Sequence, residues 1–249
     1  MDPIQDLEQR LQSAQDPLTR EDLQLRLAQA WGFVDPSRGR ALAEEVLASS
    51  PQEAARAHRV LTWNLIRLHK PFEALEHYEE ALRLAEENDP LGVADALLGM
   101  GILYDQLEQF ERALQVLARA LSLYRELGSL DGEAVALRSL GVVRSRCGQA
   151  EEALGNYRES LELDRRLGQE QSYHLTLNNI GINLKNLGRL EEAELALSQA
   201  LQYFRDQRLC YPLAGALHNL GLVYLRQEAI ARKVARLSRR LCLKLAPVP

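Results

Sequence analysis

Cysteine is scarce in this chain, and the three present, Cys147, Cys210 and Cys242, are far apart and in no C-x-x-C pairing. That pattern excludes a disulfide framework and a thiolate zinc site and leaves three reduced thiols. Glycine (15) and proline (9) are sparse for 249 residues, which argues against a loop-rich chain. There is no Val/Ile/Thr-rich alternation, and no Asn-Gly or Asp-Gly hairpin joins two apolar runs; Asp131-Gly132 sits between helical patterns. Strands therefore lack both their residues and their turns. No run of 18 apolar residues occurs, so no membrane-spanning helix is expected. The start, MDPIQDLEQR, is acidic and polar and lacks the basic and apolar regions of a secretory signal, so a soluble, cytoplasmic protein is the expectation.

What remains is a helix-forming composition. Leu, Ala, Glu, Arg and Gln dominate, residues that lose little freedom on becoming helical, and a hydrophobic content of 46% can fill a large core. Net charge is −5 but unevenly placed: six basic residues and no acid follow Glu228, so residues 1 to 228 carry 24 basic and 35 acidic residues, a net −11.

The stretch HNLGLVY at 218–224 has earlier relatives in GMGILY, SLGVVR and NIGINL, placing glycines at 101, 141, 181 and 221. Around each, apolar residues fall on one helical face: Leu97, Met100, Gly101 and Tyr104; Leu137, Leu140 and Gly141; Leu177, Ile180, Gly181 and Leu184. A turn follows, at Glu108-Gln109, Gly148 or Gly188, and then a second helical pattern containing Ala113, Ala153 or Ala193. Two helices approach closely where one offers no side chain and the other a methyl, so Gly101/Ala113, Gly141/Ala153 and Gly181/Ala193 are expected contact pairs. Gly128 and Gly168 read as helix stops.

The N-x-G-x-x-Y, G-x-x-x-x-A, A pattern resembles the tetratricopeptide repeat, a helix-turn-helix unit of about 34 residues. Degenerate earlier copies lie in FEALEHYEEAL and SRGRALAEEVL, so the small positions 39, 74, 113, 153 and 193 step by 35, 39, 40 and 40. The resemblance implies an all-α fold, a right-handed α-solenoid of five hairpins plus the first helix of a sixth at 213–226. The longer units are similar to those of kinesin light chain and of bacterial signalling and regulatory proteins. A short N-terminal helix is expected over 1–17, with Ile4, Leu7 and Leu11 on one side, then the repeats over 18–228.

No phosphate-binding loop, H-E-x-x-H, G-x-S-x-G or dinucleotide fingerprint is present, and the five histidines are scattered. Neither catalysis nor a metal or cofactor is expected. His69 and His77 are separated by Pro71, and the histidines are expected on the surface. In the resembled family the first helix of each hairpin receives partner segments. On the faces flanking the glycines stand Asp105, Arg138, Ser145, Arg146, Asn178, Asn179, Lys185, Asn186, His218, Asn219 and Arg226, one acid against four fixed cations. Asparagine offers a donor and an acceptor to an extended backbone, and Arg and Lys select carboxylates. The partner-binding expectation is thus a protein or peptide, acidic in character, on Arg138, Arg146, Asn178, Asn179, Lys185, Asn186, His218, Asn219 and Arg226.

Past Tyr224 the pattern asks for alanine at 233 and finds Lys233. Ile230, Val234, Leu237, Leu241 and Leu245 instead form a stripe with basic residues mostly elsewhere, a basic amphipathic helix over 229–249 ending at Pro247. Two roles are open to it: a cap on the stack, or an arm for an acidic partner, nucleic acid or an anionic membrane. Six cations without interleaved aromatics weigh against a nucleic-acid reader.

Overall fold

The computed structural model describes residues 3–85 and 89–245, with side chains from Ile4 to Ile230. Among the described residues there are twelve α-helices and no strand: α1 Pro3–Ser13, α2 Pro17–Trp31, α3 Pro36–Ser49, α4 Ala54–Arg67, α5 Pro71–Ala85, α6 Pro90–Gln106, α7 Phe110–Glu126, α8 Leu130–Arg146, α9 Ala150–Leu167, α10 Glu170–Asn186, α11 Leu190–Asp206 and α12 Cys210–Leu245. The fold class is the expected one, stacked helix-turn-helix hairpins of the α-solenoid type. Two compact units divide within α8, residues 1–139 and 140–249.

Local chemistry starts the helices of the first unit. Asp16, Asp35 and Asp89 each precede a proline, and each carboxylate accepts a backbone N–H within the first turn, from Thr19, Ser37 and Gly92 respectively. Aspartate satisfies an orphan donor while proline occupies a position that needs none. From α6 onward the breaks come from the turn instead. A left-handed residue recurs every 20 positions, at Glu108, Gly128, Gly148, Gly168, Gly188 and Arg208, after an earlier one at His69. At each, the next residue's N–H returns to a carbonyl of the last helical turn: Gln109 to Tyr104 at 2.8 Å, Gln149 to Arg144 at 2.9 Å, Arg189 to Leu184 at 2.9 Å. This closes the helix end and reverses the chain. Glycine reaches that conformation without Cβ strain at four of the seven.

Within the first unit α1 lies on α2, and α2/α3, α4/α5 and α6/α7 form the hairpins. Ile4, Leu7 and Leu11 of α1 are partly covered. Within the second unit α10/α11 form a hairpin flanked by α9 and α12, around Leu177, Leu184, Leu197, Phe204, Leu220 and Val223.

The recurring glycines are contact points, but their nearest partners are not the expected alanines, although the Ala193 carbonyl lies 3.3 Å from a Cβ on Gly181. A Cβ built on Gly101 would lie 2.4 Å from Cγ of Leu117; on Gly141, 2.5 Å from Cε1 of Tyr157; on Gly181, 2.6 Å from Cγ of Leu197. The partner is therefore the bulky residue one turn beyond Ala113, Ala153 and Ala193, which are themselves fully buried. The alanine thins the second helix, and the large side chain four residues on fills the notch. Gly221 breaks the series: nothing lies within 4 Å of its Cβ position. The reason is α12, which runs without a turn from Cys210 to Leu245 rather than stopping near residue 226. Position 228, in register with Glu108, Gly148 and Gly188, stays inside it.

Candidate functional site

The first helices of the second unit carry most of the expected partner-binding residues. On α10, Asn178 with Lys185 and Asn179 with Asn186 are seven residues apart, two turns along the same side. Asn219 and Arg226 repeat that spacing on α12, beside His218. Asn178, Asn179 and Asn219 are half-buried, Lys185 is buried, and Asn186, His218 and Arg226 are exposed. Arg146 is exposed at the end of α8 and makes contacts of its own. Arg138, half-buried on α8, belongs to the first unit.

The structure brings two of these directly together. Arg226 reaches from α12 to donate from Nη1 to the backbone carbonyl of Lys185 at 2.6 Å, adding a cation at the end of α10 to a carbonyl that also accepts the Gly188 N–H at 3.2 Å. Lys185 is only 8% exposed, and among the described residues no carboxylate pairs with its ammonium. Burial, and then the Arg226 charge, hold the Lys185 pKa below the ordinary lysine value. The Asn178 carboxamide oxygen is buried and has no hydrogen-bond partner among the described residues. Asn179 uses its backbone, its carbonyl accepting from Asn183 Nδ2 at 3.1 Å. Lys185, whose ammonium meets no carboxylate among the described residues, and the buried Asn178 oxygen without a donor thus share one side of α10.

Sequence reasoning passed over several groups. Arg144, half-buried, donates to Asn156 Oδ1 at 2.6 Å and ties α8 to α9. In the first unit a cleft is lined by Gln29, Arg56, Arg59, Trp63 and Asp95. Arg56 pairs there with Asp22 at 2.6 Å and Asp95 accepts the Tyr124 hydroxyl at 2.7 Å, while the buried Arg59 Nη1 lies 3.5 Å from Asp89 without a hydrogen bond among the described residues. Beside it the Trp63 and Phe33 rings lie 5.7 Å apart, with the Arg67 guanidinium over both. The signal in the sequence is only that both tryptophans, Trp31 and Trp63, fall with Phe33 in the early part of a chain with 6% aromatics.

The histidines are not all on the surface. His58 is buried, and its Nδ1 lies 2.8 Å from Nδ1 of His77 across α4 and α5. Pairs eight residues apart on one helical pattern hid this contact, which is made between helices. Cys147 and Cys210 are exposed free thiols. No cluster of three metal-ligating side chains occurs among the described residues, and no helix there is long and apolar enough to cross a membrane.

The tetratricopeptide repeat model matches residues 41–126 and 132–206. The chain belongs to the tetratricopeptide repeat family. Its repeats make it a protein–protein interaction module. Among solved structures it is similar to a signal transduction ATPase with numerous domains carrying a tetratricopeptide repeat sensor, from Pyrococcus horikoshii, at 16% identity and a TM-score of 0.77 over 94% of this chain. It spans 37% of that larger protein's chain. It is also similar to BtubC from P. vanneervenii, at 24% identity and a TM-score of 0.61 over 98% of this chain and 94% of that one. A Rap protein complexed with competence and sporulation factor matches at 15% identity, with a TM-score of 0.66 over 90% of this chain and 70% of that one. At these identities the likeness shows the fold. No curated protein sequence matches the chain.

Proposed function

We propose that this tetratricopeptide repeat protein is a non-catalytic adaptor or sensing module whose second unit receives an extended, acidic segment of a partner protein along α10 and α12. The observation that carries the reading is the pair of unsatisfied groups on α10. A buried acceptor without a donor is costly, and a cation that meets no carboxylate is ready to take an anion. An extended backbone supplies an N–H to the Asn178 carboxamide once that half-buried side chain turns outward. An acidic side chain or terminal carboxylate supplies the anion that Lys185 and Arg226 lack among the described residues. Asn179, Asn186, His218 and Asn219 flank these with further amide and imidazole groups, and Arg146 adds a cation at the end of α8. The repeat sensor of the Pyrococcus horikoshii neighbour and the bound factor of the Rap protein are consistent with such use of the fold.

The alternative use of the basic segment 229–249 on nucleic acid or membrane falls largely on side chains outside the described residues and gains no support from them. The test is a screen of the purified protein against an array of extended peptides of graded acidity. The expectation is selection of Asp/Glu-bearing peptides, with Asn178→Ala and Lys185→Met each weakening binding by roughly 5- to 100-fold, the loss of one desolvated polar contact. Binding that ignores peptide charge, or that survives both substitutions unchanged, rejects the reading.

A further inference from the structure

In the first unit two opposite charges share a cleft and do not close on each other. The cleft, of about 310 Å³, lies between α2, α4, α5 and α6, and Arg59, Val60, Trp63, Tyr78 and Asp95 line it. Arg59 makes no hydrogen bond among the described residues: its Nη1 stands 3.5 Å from Asp89, and of its nitrogens only Nη1 is fully covered. The rest of that fork of donors is unused. Asp95, exposed on α6, accepts the Tyr124 hydroxyl at Oδ1 and forms no ion pair among the described residues. Tyr78 is only 8% exposed, yet its hydroxyl has no hydrogen-bond partner there and is not shut off from solvent. Burial first, and then the Asp95 charge, push the phenol's pKa up, so it stays a neutral donor.

Two glycines hold the arrangement open. Gly92, Asp95 and Gly99 fall three and four residues apart, on one face of α6. A Cβ on Gly92 would lie 2.7 Å from Arg59 Nη1, and one on Gly99 would collide with the Tyr78 hydroxyl. The guanidinium and the phenol therefore rest against bare backbone on either side of Asp95, within roughly 10 Å along the helix axis. On α4, Trp63 follows Arg59 and Val60 by one turn, so an apolar wall runs beside the charges, and Trp63 is 38% exposed.

The charges select the occupant. A simple anion would meet the Asp95 carboxylate, and a simple cation would meet Arg59; a molecule carrying both charges a few bonds apart satisfies both. We propose that the cleft binds a free α-amino acid with an apolar side chain, its carboxylate on the Arg59 guanidinium, its ammonium on Asp95 and its side chain against Val60 and Trp63. A guanidinium matches a carboxylate through two parallel hydrogen bonds, and the Tyr78 hydroxyl, both donor and acceptor, completes the polar floor. About 310 Å³ is at the small end of ligand pockets and suits one small molecule. The site stands independently of α10, because all its residues belong to the first unit.

Isothermal titration calorimetry of the full chain against the genetically encoded amino acids, one at a time, is expected to show saturable binding of the larger apolar ones, with a change in tryptophan fluorescence. The amide and the N-acetyl derivative of the tightest ligand each lack one charge and are expected to bind at least about tenfold more weakly. Asp95→Asn and Arg59→Met are expected to lose a similar factor for the parent amino acid. Asparagine keeps an acceptor for the Tyr124 hydroxyl, and circular dichroism checks the fold of both variants. The two derivatives test the same charges on the unaltered protein. Absence of saturable binding up to about 10 mM, equal binding of either derivative or of acetate, or unchanged affinity in Asp95→Asn overturns the proposal.

Discussion

Gly181 and Leu197 are in contact so close that no side chain fits between them: a Cβ on Gly181 would stand 2.6 Å from Leu197 Cγ and 3.3 Å from the Ala193 carbonyl. Leucine at 181 must therefore push α10 and α11 apart, and Gly181→Leu is expected to cost on the order of 1–3 kcal/mol in thermal or urea unfolding. Gly155, on the exposed side of α9 with nothing within 4 Å, supplies the opposite sign. There alanine replaces only conformational entropy, and Gly155→Ala is expected to gain roughly 0.5–1 kcal/mol. Equal responses at 155 and 181 would contradict this packing.

The left-handed positions give a second, independent test. Glu108 and Arg208 occupy the conformation that Gly128, Gly148, Gly168 and Gly188 occupy, with φ of 59° and 56°. A side chain there crowds its own backbone by about 1–2 kcal/mol, partly relieved in these turns by the returning hydrogen bonds. Glu108→Gly and Arg208→Gly are each expected to raise stability by up to about 1 kcal/mol, and Gly148→Ala to lower it by a similar amount. Melting temperatures moving the other way would show that the side chains of Glu108 and Arg208 contribute more than the strain removes.

These elements also show how the sequence speaks. Helix faces and turns were legible because Gly101, Gly141 and Gly181, and Gly148 and Gly188, repeat with a period that composition alone does not produce. The partner of each glycine was not, because one-dimensional spacing says that two helices touch but not which turn of the second meets the first; Leu117 and Ala113 differ by one turn. The length of α12 is not legible in the sequence for a related reason. Glu108 turns the chain and position 228, also glutamate, does not, so the residue type at the turn does not decide. What differs is the core each following helix would enter, and that is a property of packing. The His58–His77 contact joins two helices and has no sequence period.

Arg226 and Lys185 make a local electrostatic prediction. Arg226 holds the end of α10 through the Lys185 carbonyl and at the same time disfavours the Lys185 ammonium. Arg226→Ala is expected to lower stability by less than about 1 kcal/mol, because the guanidinium is exposed. The Lys185 side-chain pKa, followed by NMR of labelled lysine, is expected to move upward, since one of its two depressing causes is gone. A downward or absent shift would mean that the two cations do not sense each other.

His58 and His77 give a pH dependence with a defined direction. With Nδ1 atoms 2.8 Å apart, one ring donates and the other accepts, and two protonated rings would aim N–H groups at each other. Burial first, and then a neighbouring positive charge, His77 for His58 and Arg40 for His77, hold both pKa values below the ordinary 6.5. Glu80 and Arg83 face His58, while Glu44, Glu73 and Glu76 face His77; the carboxylates oppose the shift without reversing it. The unfolded chain therefore takes up protons as pH falls through 6.5 while the folded pair resists, so stability is full above that value and declines below it until the folded rings titrate. Glu73 and Glu80, with pKa values held below 4.5 chiefly by hydrogen bonds from Lys70 and Arg83, lose their contribution at lower pH and do not blur the window. The melting temperature is expected to fall by a few degrees between about pH 7.5 and 5, and His77→Gln, which removes one titrating ring, to flatten that slope. A slope unchanged in the variant would place the acid sensitivity elsewhere than between α4 and α5.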